Sequence, residues 1–198
     1  MNKYCTMALT ILLAGCTAFS APKVESTHLY LLDARPVIVA EGKKSTQILA
    51  ISMPVSRSGY DTPQMAYQRQ PLELEYFATH RWADTPARML MPLLMQALAP
   101  NFSAVVQAPG TIPANLRLDT ELIQLQQNFT TKPDRIQLTL RAQLIDLKDK
   151  RVVAVKLFDE SENIGSDDAY GGVVAANRAL QRVLAQLAEF CLNASASH

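Results

Sequence analysis

From Ile136 to Leu144 the chain alternates apolar and polar residues without a break: Ile136, Leu138, Leu140, Ala142 and Leu144 against Gln137, Thr139, Arg141 and Gln143. Successive side chains of a strand point to opposite faces, so this run predicts a strand with one face in a core and the other in water. The flanks supply its partners. Upstream, Leu116, Leu118, Thr120 and Leu122 alternate with Arg117, Asp119 and Glu121, and the phase then slips at Ile123 and Leu125. One extra residue near Leu122, a β-bulge, accounts for the slip. Downstream, Lys148-Asp149-Lys150 is a polar turn leading into Val152 to Phe158. Residues 115 to 160 therefore read as a three-stranded antiparallel meander.

Two amphipathic helices are predicted to cover that sheet. From Asp167 or Asp168 to about residue 192, Val173, Val174, Leu180, Val183, Leu184, Leu187, Phe190 and Cys191 fall on one side of a long helix. Acidic residues ahead of its first turn complement the positive end of the helix. An earlier helix, about 85–98, opens on Thr85 as N-cap with Pro86 at the first helical position, where the missing N–H costs nothing. Met89, Leu90, Leu93, Leu94, Ala97 and Leu98 form its buried stripe, and Pro92 is expected to kink it or limit its first turns. Shorter strands are predicted at Tyr30 to Leu32, Gln47 to Met53, Met65 to Arg69, Leu72 to Phe77 and Phe102 to Val106. Pro36 to Thr46 and Ser56 to Asp61 read as loops. The result is an α+β fold: one compact domain, 28–192, whose mainly antiparallel or mixed sheet is packed by two main helices, followed by a short tail, 193–198.

The N-terminus carries a different signal. Lys3, an apolar run from Met7 to Leu13, and Leu13-Ala14-Gly15-Cys16 have the anatomy of a bacterial lipoprotein signal. On that reading residues 1–15 are removed, Cys16 is acylated, and 16–27, rich in Ser, Thr, Ala and Pro with no apolar period, is a flexible tether. The apolar run is too short to span a bilayer as a helix, which takes about 20 residues. Two or more acyl chains on one residue give stable anchoring. Thr17, in place of the Asp associated with inner-membrane retention, favours the outer membrane, with the domain facing the periplasm.

Composition matters after cleavage. Loss of Lys3 leaves 18 basic against 18 acidic residues, so no basic field exists to attract nucleic acid. With Cys16 acylated, Cys191 is the one thiol of the folded part and no intramolecular disulfide forms. It reads as a small buried hydrophobe.

Catalytic and metal-binding patterns are absent. His28, His80 and His198 read as a strand edge, a loop and the tail, and no two are spaced as metal ligands. There is no G-x-S-x-G elbow, Walker loop or dinucleotide fingerprint. His80 with Asp84 and a serine is a bare candidate for a hydrolase triad, since triads are assembled by the fold. Gly171-Gly172 is a poor match to a phosphate cradle and reads as close packing of the helix start on the sheet. No catalytic residue, cofactor or metal ligand is assigned. Tyr60 to Ala83 concentrates aromatics. Tyr76, Phe77 and Trp82 read as core, whereas Tyr60, Tyr67 and Arg81 lie beside polar or turn residues and are candidates for partner contact.

Leu13-Ala14-Gly15-Cys16, Tyr30-Leu31-Leu32, Ile48 to Pro54, Gln64-Met65-Ala66-Tyr67, Tyr76-Phe77 and Arg81-Trp82-Ala83-Asp84 ahead of the Leu-rich helix together resemble one family. It is the auxiliary lipoproteins of ABC-type transport systems that work with MCE (mammalian cell entry) proteins, the group containing paraquat-inducible protein C. The resemblance implies a compact domain without a catalytic centre. It also implies a part in moving lipids or other hydrophobic compounds between inner and outer membranes. The implied partners are an MCE-domain protein and, through it, an ABC permease and ATPase. A homo-oligomer is a further expectation, because edge strands of a small sheet invite pairing. The rival functions are a lipid-binding shuttle or chaperone and, on scattered His, Asp and Ser, an envelope hydrolase.

Overall fold

The computed structural model describes residues 26–35, 44–166 and 168–196. The signal segment, Cys16, most of the expected tether, the greater part of the 36–46 loop, Asp167 and His198 lie outside the described residues. In chain order the strands before the first helix are β1 (His28–Tyr30), β2 (Ser45–Ser52), β3 (Val55–Ser56), β4 (Gln64–Gln68) and β5 (Glu75–Trp82). There follow helix α1 (Pro86–Leu98), a 3-10 turn (Ala99–Asn101), β6 (Phe102–Ala108), β7 (Leu116–Asn128), β8 (Arg135–Asp146), β9 (Arg151–Asn163) and helix α2 (Ala169–Ala196).

The predicted meander is the spine of the sheet: β7, β8 and β9 pair antiparallel in sequence order. The register shifts between Leu122 and Gln124, which is the predicted bulge. Its effect is to turn Leu125 and Gln127 to the core side after Leu116, Leu118 and Leu122. The other edge of β7 takes three short strands end to end, all parallel to it. β2 pairs Leu49 with Leu116, β3 pairs Val55 with Glu121, and β4 pairs Ala66 with Gln126. β6 then adds parallel to β2, β5 antiparallel to β4, and β1 parallel to β5, completing a mixed sheet of nine strands.

Both helices lie on one face of this sheet. The buried stripe of α2 repeats at helical spacing through Val173, Ala176, Leu180, Val183, Leu184, Leu187 and Cys191, and meets Ile136, Leu138, Leu140 and Phe158 in one continuous core. That core also takes Leu90, Leu94 and Leu98 of α1. Pro92 does not interrupt α1, which is one unbroken helix from Pro86 to Leu98. Pro92 and Arg88 are on the solvent side, so the carbonyl that loses its partner faces water and the buried stripe holds the helix continuous. Helix α2 also runs on to Ala196, where Ser195 donates to the Leu192 carbonyl at 2.7 Å.

Polar side chains of α2 tie both margins of the domain to the helix. Arg182 donates from Nε to Glu160 and from Nη1 to Glu162 of β9, each at 2.8 Å. On the other side Asn177 accepts from the Asp33 amide at 2.7 Å and donates to the Leu31 carbonyl at 3.1 Å, and Gln181 donates to the Arg35 carbonyl at 2.9 Å. The first strand is His28–Tyr30, and Leu31 and Leu32 belong to this clamped segment. Among the described residues no helix is long and apolar enough to cross a membrane.

Candidate functional site

The densest group of half-exposed aromatic side chains sits where β5 meets β4 and β1. Gln64 pairs with Arg81 whereas Ala66 pairs with Tyr76, so β5 carries extra residues between the two register positions. That bulge turns Phe77 and His80 to the helix-bearing face together with Trp82, which is buried in the core. Tyr67 packs on Phe77 with ring centres 4.7 Å apart and on Phe129 at 6.0 Å. His80 stacks between its cross-strand neighbour His28 at 5.0 Å and Tyr30 at 5.8 Å, and Tyr170 at the start of α2 lies 6.3 Å from Tyr30. The Tyr30 hydroxyl and His80 Nδ1 are hydrogen-bonded at 2.9 Å.

Charge is locked in place beside this group. The Tyr67 hydroxyl donates to Glu75 at 3.0 Å, and Arg69 donates from Nε to the same carboxylate at 2.8 Å and makes a second contact from Nη2. The guanidinium hydrogen bond holds the Glu75 carboxyl below the usual range. Burial pushes the Tyr67 phenol up, with the Glu75 hydrogen bond adding to it, so Tyr67 stays a neutral donor.

The start of α2 borders the same region. Asp168 is its N-cap, accepting from the Gly171 amide and from the Ser166 hydroxyl, each at 2.7 Å. Those two donors, the backbone amide first, hold its carboxyl below the ordinary value. A Cβ at Gly172 would overlap the Gln127 side chain, and one at Gly171 would overlap Ser166. The glycine pair therefore serves close packing, as its isolation in sequence suggested, and makes no phosphate cradle. Gln127 is almost wholly buried under this turn and donates to the Ala169 carbonyl at 3.4 Å.

Among the described residues, the opposite face of the sheet carries no helix. There Tyr60 donates to Gln126 Oε1 at 2.5 Å, and Gln126 donates to Gln68 at 3.0 Å and to Gln137 at 3.3 Å. Gln137 Oε1 also accepts from Gln124 and Asn128, both at 3.1 Å. Tyr76 donates to the Gly59 carbonyl at 2.9 Å, holding the 57–63 loop over this face, and Gly59 supplies the positive φ of 93° that the loop needs. Burial raises the Tyr60 phenol, which stays protonated as a donor. Arg81 alternates with His80 and Trp82 and so is placed on this helix-free face, where it is exposed.

The three residues singled out for partner contact thus do not form one patch. Tyr60 and Arg81 belong to the helix-free face and Tyr67 to the aromatic group on the other. Tyr76 and Phe77, read as core, are only partly buried, one on each face, while Trp82 is core. His80 is in β5 and not in a loop, because β1 adds to β5 and pairs His28 with His80. Of the triad weighed for a hydrolase, His80 Nδ1 is bonded to the Tyr30 hydroxyl, and Asp84 accepts from the Thr85 amide at 2.7 Å. Cys191 is fully buried and burial pushes its thiol up to about 12, so it packs as an apolar group. Of the amide ladder only Gln137 was legible, as a polar-face residue of its strand; its joining to Gln126, Gln68 and Tyr60 depends on parallel pairing of β4 with β7.

A family model described as ABC-type transport auxiliary lipoprotein component matches residues 30–188. The chain belongs to this family. Among solved structures, this auxiliary lipoprotein is similar to a Xanthomonas campestris protein assigned to the family DUF330. The two are 20% identical with a TM-score of 0.79, over 86% of this chain and 98% of that one. A hypothetical protein of Chlamydia trachomatis is 10% identical with a TM-score of 0.57, over 78% of this chain and all (100%) of that one. At such identities the likeness is one of fold. No curated protein matches the auxiliary lipoprotein in sequence.

Proposed function

We propose that this auxiliary lipoprotein is a non-enzymatic subunit of an MCE-type ABC transport system, anchored by lipidated Cys16 in the outer membrane and facing the periplasm. Its role is to dock the periplasmic MCE protein at that membrane, so that lipids or other hydrophobic compounds pass between inner and outer membranes. The observation that carries the reading is the family match over residues 30–188, combined with the lipoprotein signal that precedes it.

Docking rather than carriage is supported by where space is found. The volume between sheet and helices is filled by one continuous core. Two surface depressions of about 410 and 440 Å3 both lie at the β8–β9 turn, with Asn115, Asp146 and Lys148 lining one and Ile145 and Val152 the other. The surface offered to the partner is the helix-free sheet face around Tyr60 and Arg81, where the amide ladder beneath holds Tyr60 in place. Several copies assembling is part of the same reading: β9 runs 13 residues and pairs only with β8 among the described strands, which leaves a long edge. In a pull-down, the purified domain is expected to retain an MCE-domain protein of the same organism, and Arg81→Glu is expected to weaken that retention. Absence of any association would overturn the docking role.

A further inference from the structure

The hairpin between β4 and β5 ends on a leucine that the fold does not use. Leu72 is fully exposed, at 103%, and its φ of 67° places a bulky side chain in the left-handed region. Both features are unfavourable in the isolated domain, and strain of this kind is retained where a site uses it. The topology gives the tip its direction. β1 is parallel to β5, with His28 beside His80 and Tyr30 beside Trp82. The N-terminal end of β1 therefore points along β5 toward Glu75, the end from which the hairpin projects. Gln68 of β4 lies beside Asn128 of β7, so Phe129 and the 129–134 connection are at that end too. The start of α2 approaches the same side, where Gln127, the neighbour of Tyr67 in β4, donates to the Ala169 carbonyl.

This end is also within reach of the anchor. From Cys16 to His28 the chain spans at most about 40 Å when extended. Leu72 lies eight residues from His80, so at most about 25 Å even at full strand rise, and the turn and the β5 bulge shorten that span. We propose that this end of the molecule rests on the bilayer that holds Cys16. Leu72 enters the boundary between headgroups and acyl chains, and the ring of Phe129 at the same end adds apolar surface there. The inference rests on the Cys16 anchor proposed above. An already tethered domain needs little further attraction to take one orientation, because its local concentration at the membrane is set by the tether. The helix-free face with Tyr60 and Arg81 then stands beside the membrane, open to a periplasmic partner.

The test uses the full lipidated protein in vesicles of phosphatidylethanolamine and phosphatidylglycerol, with and without bromine on the acyl chains. Leu72→Trp places a reporter at the tip, and Ile112→Trp places one on an exposed site at the opposite end of the sheet. The native Trp82 is buried and its signal is subtracted using the unsubstituted protein. At least about two-fold quenching by brominated lipid is expected at position 72 and essentially none at position 112. Equal quenching at both positions, or none at 72, overturns the inference. A blue-shifted but unquenched Leu72→Trp reports a protein neighbour and overturns it as well. The acyl mass on Cys16, measured on the same preparation, separates the two failures. An acylated protein without quenching at 72 sinks this inference alone, whereas an unacylated one removes the anchor and the inference together.

Discussion

A methyl group on Gly172 has nowhere to go. It would meet the Gln127 side chain, which is 1% exposed and pinned between α2 and β7. Overpacking of this kind costs about 1–3 kcal/mol, against a helix-propensity gain near 1 kcal/mol for replacing glycine by alanine. Gly172→Ala is therefore expected to lower unfolding stability by up to about 2 kcal/mol in urea, while the same change in a Gln127→Ala background is neutral or stabilising. The reason was legible in the sequence, since a lone glycine pair at a helix start suits close approach. Leu72 shows the opposite case. Apolar character from Leu72 to Phe77 predicted a strand from 72, yet β5 begins at Glu75, because Gln70 and Glu73 close a turn through Pro71 and a left-handed Leu72. A positive φ on leucine has no sequence signature.

At the scale of elements, the long helix depends on its first turn. Asp168 has a carboxyl held below its ordinary value by the Gly171 amide and the Ser166 hydroxyl. A depressed folded-state value means that the stabilisation is fully present above the unfolded value, about 3.9, and is lost as pH falls through the lower folded one. Glu75, held down by Arg69, acts in the same direction. Amide exchange at Gly171 and Gly172 is therefore expected to speed up on acidification below about pH 4, relative to the core of α2. In Asp168→Ala it is fast already at neutral pH. Exchange there that ignores both pH and the substitution would contradict the cap. The meander and both helices were legible because their periods of 2 and 3.6 are local properties. The pairing of β2, β3 and β4 along one edge of β7 was not. It joins segments such as Ala66 and Gln126 that are far apart in sequence, and parallel partners carry no turn signal.

For the whole molecule, one face of the sheet is spent on two helices and a filled core, which leaves the other face and the sheet margins for function. This division separates residues that the sequence grouped together: Tyr67 faces the helices, whereas Tyr60 and Arg81 belong to the helix-free face. Their neighbourhood in the chain gave no warning, because the face of each depends on the β4–β5 register and its bulge. The helix-free face is proposed to dock a periplasmic MCE protein. The most direct measurement is crosslinking in intact cells with a photoreactive residue at position 81. An adduct with the MCE protein is the predicted result, and capture of lipid alone, or of nothing, would contradict the claim.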